Sequence, residues 1–280
     1  MHIFGDINEP YNLERHAQII LQGIPYDGTS TWGKGADKGF EAFIEASHNL
    51  ELYDIETDSE VYRHGIYAPS VLEDFESPEI MFDRVYRHTQ SLLKKDKFLT
   101  FFGGEHSISI GIMKAFAEEY QDLTVLHIDA HADLRSSYLG SPYNHACAMH
   151  EANKTCNLIQ VGIRSMDVTE KEFMNHEKVF FAHYIRSEKN WLWQVVEKLT
   201  DKVYISFDLD ALDPSIMPAT GTPEPGGLWW HETLELLRLV FKAKDVVGFD
   251  IVELSPIESL RHPQFLAAKL YYKMLSYKFE

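Results

Sequence analysis

Leu123-Thr124-Val125-Leu126-His127-Ile128-Asp129-Ala130-His131-Ala132-Asp133 is the stretch on which the reading of this chain turns. Its first six residues form a nearly continuous apolar run, the pattern of a strand covered on both faces in a parallel sheet. Two aspartates and a histidine follow at alternate positions. In extended backbone, side chains two residues apart share a face, so Asp129, His131 and Asp133 can converge on one point. Such groups at the end of a buried strand repel one another or stay unsatisfied unless a cation joins them. The alternative is a solvated loop of hydrogen-bonded acids. His127 is expected to face away from the motif, as a core or supporting imidazole rather than a ligand.

Working outward, similar short runs stand at Ile19–Leu21, Phe98–Phe102, Leu158–Ile163, Val179–Phe181, Val203–Phe207 and Val246–Val252. Amphipathic stretches separate them. Ser77-Pro78 reads as an N-cap with proline at the first helical position, followed by Met81, Val85 and Leu92 along one side. Ile108, Ile112, Ala115 and Phe116 mark another helix, Leu192 to Leu199 a third, Leu234 to Phe241 a fourth, and Phe265 to Leu275 the last. Trp229 and Trp230 open the fourth, where packing explains them. This alternation predicts an α/β fold with a mainly parallel sheet and helices on both faces. No repeat, linker or break in composition divides the chain, so residues 1–280 are expected to form a single domain.

Parallel sheets present chemistry at the carboxyl ends of their strands. Val203-Tyr204-Ile205-Ser206-Phe207 runs into Asp208-Leu209-Asp210, whose carboxylates again share a face, whereas Asp213-Pro214 reads as a turn. Phe98 to Phe102 ends in Gly103-Gly104-Glu105-His106-Ser107, where a tight glycine turn can swing His106 over the strand ends. Four aspartates and two histidines exceed the needs of one ion and suit two. Their oxygen-rich, sulfur-free character favours a hard octahedral ion such as Mn²⁺ over structural zinc. Paired ions sharing a water lower its pKa, and that machinery serves hydrolysis.

Composition narrows the partners. With 26 basic and 43 acidic residues the formal net charge is −17, which disfavours nucleic acid and anionic membrane surfaces and suits cationic ligands. Two cysteines, Cys147 and Cys156, fit a reducing compartment. The N-terminus lacks a signal-peptide pattern, and no apolar run is long enough to span a bilayer. A cytoplasmic enzyme is expected.

Gly103-Gly104-Glu105-His106-Ser107, Asp129-Ala130-His131-Ala132-Asp133 and Ser206-Phe207-Asp208-Leu209-Asp210-Ala211-Leu212-Asp213-Pro214 together resemble the signature motifs of the ureohydrolases, the arginase and agmatinase family. Pro218 to Gly227 resembles that family's substrate-side loop, and the likeness runs from Gly23-Ile24-Pro25-Tyr26-Asp27 to Glu253-Leu254-Ser255-Pro256. The resemblance implies a three-layer α/β/α fold with an eight-stranded, mainly parallel sheet and two manganese ions. It implies that His106, Asp129, His131, Asp133, Asp208 and Asp210 hold the metals, with Asp129 and Asp208 bridging. Asp133 would also bond the bridging hydroxide, Glu253 would pair with the guanidinium, and His145 would shuttle a proton to the leaving amine. Thr222 is a substrate-side donor or a turn residue. Trimers or hexamers are the family's common assemblies.

Gly162-Ile163-Arg164-Ser165 and Pro223-Glu224-Pro225-Gly226-Gly227 look more like agmatinases than arginases, so agmatine is the expected substrate, hydrolysed to putrescine and urea. Arginase, guanidinobutyrase, a mononuclear-zinc deacetylase and an inactive metal-binding paralogue are the alternatives. Phe40 stands where many members have proline, a matter of local packing. Arg135 is the less comfortable departure: it either binds a substrate carboxylate or pairs with an acid such as Glu105 or Glu151. Tyr138 and Tyr143 are expected at the pocket mouth.

Overall fold

The structure is a computed structural model, described over residues 2–280. The strands are β1 (Ile19–Ile24), β2 (Ile66–Tyr67), β3 (Phe98–Gly103), β4 (Thr124–Ile128), β5 (Asn157–Val161), β6 (Val179–Phe180), β7 (Lys202–Asp208) and β8 (Asp245–Val252). The helices are α1 (Gly39–Ser47), α2 (Pro78–Leu93), α3 (Ile108–Glu119), α4 (His150–Thr155), α5 (Ala182–Ile185), α6 (Trp191–Lys198), α7 (Trp230–Ala243) and α8 (His262–Lys278). All eight strands join one sheet in the order β2-β1-β3-β8-β7-β4-β5-β6. Every pairing between them is parallel.

Period-two alternation sends successive side chains to opposite layers. Leu126, Ile128, Ile205, Phe207, Phe249 and Ile251 pack under α1, α6, α7 and α8. Val125, Tyr204, Leu99 and Phe101 pack under α2, α3 and α4. The result is the expected three-layer α/β/α architecture. Ser77 caps α2 by accepting from the Ile80 amide at 3.3 Å, with Pro78 in the first turn. Trp230 packs on the core, but its neighbour Trp229 is 45% exposed, so packing accounts for only one of the pair.

Sheet order places the site. Strands β3, β8, β7 and β4 lie side by side, although β3 and β4 are consecutive in the chain. Their carboxyl ends flank the point where the winding direction changes, where open α/β sheets bind ligands. His106 follows β3, Glu253 follows β8, Asp208 ends β7 and Asp129 follows β4.

Candidate metal centre and substrate pocket

The turn after β3 is possible only with glycine at position 104: a Cβ there would lie 1.8 Å from the Tyr26 carbonyl oxygen. That approach seats Glu105 and His106 over the sheet, tied by Gly104 N–H to Ile24 O at 2.8 Å and Glu253 N–H to Gly104 O at 2.9 Å. His106 Nδ1 then stands 3.1 Å from Asp129 Oδ2, 3.2 Å from Asp133 Oδ2 and 3.2 Å from Asp208 Oδ2. Although buried, this nitrogen has no hydrogen-bond partner. Its orientation is fixed from behind. Ser206 Oγ donates to Asp250 Oδ1 at 2.8 Å, and so accepts from His106 Nε2–H at 3.0 Å. The Nδ1 lone pair is left facing three carboxylates, an arrangement that a cation completes.

A second group lies alongside. His131 Nδ1 is 2.9 Å from Asp210 Oδ2 and 3.6 Å from Asp129 Oδ1. Asp129 thus turns one oxygen toward each histidine. Donor atoms of His106, His127, Asp129 and Asp133, and separately of Asp129, His131 and Asp210, lie within 4.8 Å of one another. In the first group the His127 nitrogen is already committed to a hydrogen bond with Asp129, and Asp208 is the free donor that faces His106. Nitrogen and oxygen donors without sulfur suit hard divalent ions, so the residues present fit a binuclear centre.

The acidities record how crowded the carboxylates are. Burial first, then Asp210 and Asp129, push Asp208 well above the usual carboxylate range. Burial and Glu105 do the same to Glu253. Burial opposes ionisation of Asp129 too, but the flanking His127 and His106 outweigh it and hold Asp129 well below that range. Two of the acids occupy left-handed backbone, Asp133 at φ 52° and Glu253 at φ 69°. For a non-glycine residue that costs about 1 kcal/mol or more, strain of the kind that collects where function fixes a side chain.

The pocket over these groups has a volume of about 270 Å³ and is lined by five of the six expected ligands, His106, His131, Asp133, Asp208 and Asp210, together with His145, Thr222 and Glu253. Asp129 lies beneath them, fully buried. Glu253 Oε1 accepts from the His106 amide at 2.8 Å, so only part of its carboxylate is committed. Asp213 accepts from Ser215, Gly226 and Gly227, which confirms it as a turn residue.

Three expectations need correction. His127 does not face away. It stands two residues before Asp129, shares its side of the strand, and donates through Nε2 to Asp129 Oδ2 at 2.7 Å, while the Gln160 amide donates to its Nδ1 at 3.0 Å. The period-two rule would have found it. Arg135 pairs with neither Glu105 nor Glu151 but lies 3.7 Å from Asp167, its guanidinium 4.4 Å above the Tyr138 ring. Tyr143 is absent from this pocket and stacks on Phe82 at 4.2 Å, whereas Tyr138 does line the mouth. Sequence reasoning also passed over Glu170, which lines the pocket and accepts from the Leu134 and Asp167 amides.

A deep parallel sheet ending in paired histidine–carboxylate groups defines a class of metal-dependent hydrolases, and the comparisons fix the family. The model described as "Arginase family" matches residues 17–276. An N(1)-aminopropylagmatine ureohydrolase of Thermus thermophilus is 36% identical over 99% of this chain and 94% of its own length. An agmatinase of Bacillus cereus is 34% identical over 86% of this chain and 84% of its own. The crystal structure of an agmatine ureohydrolase of Thermoplasma volcanium superposes with a TM-score of 0.86 at 32% identity, covering 99% of this chain and 94% of that one. This chain belongs to the arginase family, and it is a binuclear metal amidinohydrolase. Among the described residues no helix is long and apolar enough to cross a membrane.

Proposed function

We propose that this enzyme hydrolyses the guanidino group of agmatine, releasing urea and putrescine, with two Mn²⁺ ions per chain. In this reading His106, Asp129, His131, Asp133, Asp208 and Asp210 would hold the ions. Bound there, the ions would supply an activated water at neutral pH. Asp133 orients that water, Glu253 holds the planar guanidinium by charge-assisted hydrogen bonds, and Thr222 offers a hydroxyl on the substrate side. His145 gives a proton to the leaving amine. A cytoplasmic trimer or hexamer completes the proposal.

The observation that carries the choice of substrate is the state of Arg135. It is the only lysine or arginine among the lining residues, and it is already engaged by Asp167 and Tyr138. Glu170 and Asp167 line the same mouth, and Glu224 Oε1 stands 3.9 Å from His131. A substrate carboxylate would meet acids without a free donor, at a cost of about 1–3 kcal/mol, or roughly 5- to 150-fold in selectivity. An ammonium is at home there. One observation favours a second reading, N(1)-aminopropylagmatine: the Thermus relative bearing that name aligns over 99% of this chain, against 86% for the Bacillus agmatinase.

Urea release from agmatine, N(1)-aminopropylagmatine, arginine and guanidinobutyrate, with Mn²⁺ supplied, tests the proposal. Both amines should exceed both acids in kcat/KM, and Glu253→Gln should impair every guanidine by about 30-fold or more while both ions stay bound. A higher kcat/KM for either acid defeats the substrate assignment. Full turnover after chelation defeats the mechanism.

A further inference from the structure

The loop after β1 carries a buried threonine, Thr29, that none of the motifs required. Its hydroxyl lies 2.8 Å from Glu105 Oε1, 3.0 Å from the His145 amide nitrogen and 3.2 Å from His145 Nδ1. A hydroxyl has one hydrogen to give and two lone pairs to receive with. The direction of each bond follows from Glu105. That side chain is fully buried, and its two oxygens are approached by the backbone N–H groups of Thr29 at 3.1 Å and Ser107 at 2.8 Å and by the Ser107 hydroxyl at 2.9 Å. It is an acceptor on every side, so the Thr29 hydrogen points to it. Both lone pairs of Thr29 Oγ1 are then left for His145, one for the backbone N–H and one for the ring.

We propose that Thr29, anchored by Glu105, is a positioning residue that holds a hydrogen on His145 Nδ1 and so makes Nε2 the only ring atom that exchanges protons. A bare Nδ1 would set its lone pair against that of Thr29 at 3.2 Å. The opposite tautomer is therefore excluded, and the ring is pinned through its backbone and its side chain by one oxygen. The logic matches a base oriented by a third group that selects its tautomer without itself titrating. The catalytic part of the proposal rests on His145 being the proton donor. The attacking water forms the C–O bond and gives up a proton, which the bare Nε2 of the Nδ1-protonated ring takes up. As the guanidino C–N bond breaks, its electron pair stays on the departing nitrogen, which receives that proton from Nε2, and the ring returns to its neutral Nδ1–H form.

Thr29→Val removes only the hydroxyl, Thr29→Ser keeps it, and His145→Asn serves as the reference. With agmatine and N(1)-aminopropylagmatine as probes, Thr29→Val should lower kcat by about 10- to 100-fold with KM within about twofold, the scale of misplaced acid–base catalysis. Thr29→Ser should recover to within about threefold, and Thr29→Val should add nothing in the His145→Asn background. Long-range ¹H–¹⁵N spectra of histidine-labelled enzyme loaded with diamagnetic Mg²⁺, assigned by His145→Asn, should show His145 protonated at Nδ1 in the wild type and mixed in Thr29→Val. Wild-type kcat in Thr29→Val beside an impaired His145→Asn overturns the inference, as does a neutral wild-type ring whose one hydrogen is on Nε2. Normal turnover in His145→Asn would instead overturn the role given to His145, and the spectra alone would decide what Thr29 does to the ring.

Discussion

The floor of the pocket and its rim are built by opposite means. The floor hangs from the ends of β3, β4, β7 and β8, four neighbouring strands whose side-chain directions are fixed by period and register. Its side chains are held from behind, His106 through Ser206 and Asp250, and the carboxylate of Asp129 through His127 and Gln160. The rim is loop. Arg135 and Asp167 are each about a third exposed and meet at 3.7 Å, and Glu224 approaches His131 only to 3.9 Å. The sheet therefore dictates which reaction is possible, and the loops dictate which guanidine undergoes it.

The largest effect should come from breaking the floor. Asp208→Asn replaces a carboxylate that stands 3.2 Å from His106 and close to Asp210 and Asp129. The variant should lose at least one of two ions and about three orders of magnitude in turnover, equivalent to about 4 kcal/mol of transition-state stabilisation. The metal-dependent rise in Tm should shrink with it, since an ion bound only by the folded state stabilises by about 2.7 kcal/mol at a hundred times its Kd. Metal-free Asp208→Asn should be no less stable than the metal-free parent, because the burial and like charges that push Asp208 upward no longer act on a neutral amide. Elemental analysis and thermal melts with and without Mn²⁺ decide it, and two ions per chain in the variant would place the bridge elsewhere.

A smaller effect tests whether the support behind the floor matters. His127→Asn removes the donor to Asp129 and leaves the Gln160 amide without its acceptor, although Gln160 still donates to Ala132 O at 2.8 Å. Partners that orient a metal-binding carboxylate are worth about 10- to 100-fold in affinity. Mn²⁺ titration should show a loss of that size, with the stoichiometry of two regained at high concentration. Wild-type affinity would reduce His127 to a filler of core volume.

These two regions also differ in how far the sequence announced them. The strand runs were apolar enough to read directly, and the parallel pairing of β4 with β7 brings Asp129 and Asp208 together at their ends. His131, Asp133 and Asp210 lie past the strands, Asp133 in left-handed backbone and Asp210 in a 3-10 turn, so the loops and not alternation aim them inward. Alternation, applied backwards by two residues from Asp129 and Asp208, places His127 and Ser206 beside the ligands. β2 escaped notice because Ile66–Tyr67 is two residues long at the sheet edge, and α4 and α5, at His150–Thr155 and Ala182–Ile185, are too short for a helical period to register. The Arg135–Asp167 and Thr29–His145 contacts escaped for a different reason. Each joins loops whose approach is set by tertiary packing, and no local pattern encodes it.

The smallest effect belongs to the rim, and it is the one that bears on substrate choice. Asp167→Asn removes a charge but keeps an oxygen able to accept from the Thr169 amide, as Asp167 Oδ1 does at 3.0 Å, so the turn should survive. Arg135 would then face the pocket with Tyr138 as its remaining partner and its charge no longer answered. If Asp167 is what denies Arg135 to an acidic substrate, kcat/KM for arginine and guanidinobutyrate relative to agmatine should rise by about two- to fivefold, the scale of one solvent-exposed ion pair. The gain should fade at high salt, because exposed charges are screened. Metal content and Tm should not move. Arg135→Ala, combined with Asp167→Asn, should cancel the gain, which separates release of the arginine from a general loss of negative potential at the mouth. A ratio unchanged in Asp167→Asn would mean that Arg135 is held by Tyr138 alone and never reaches the substrate, leaving Glu170 and Glu224 as the acids that discriminate.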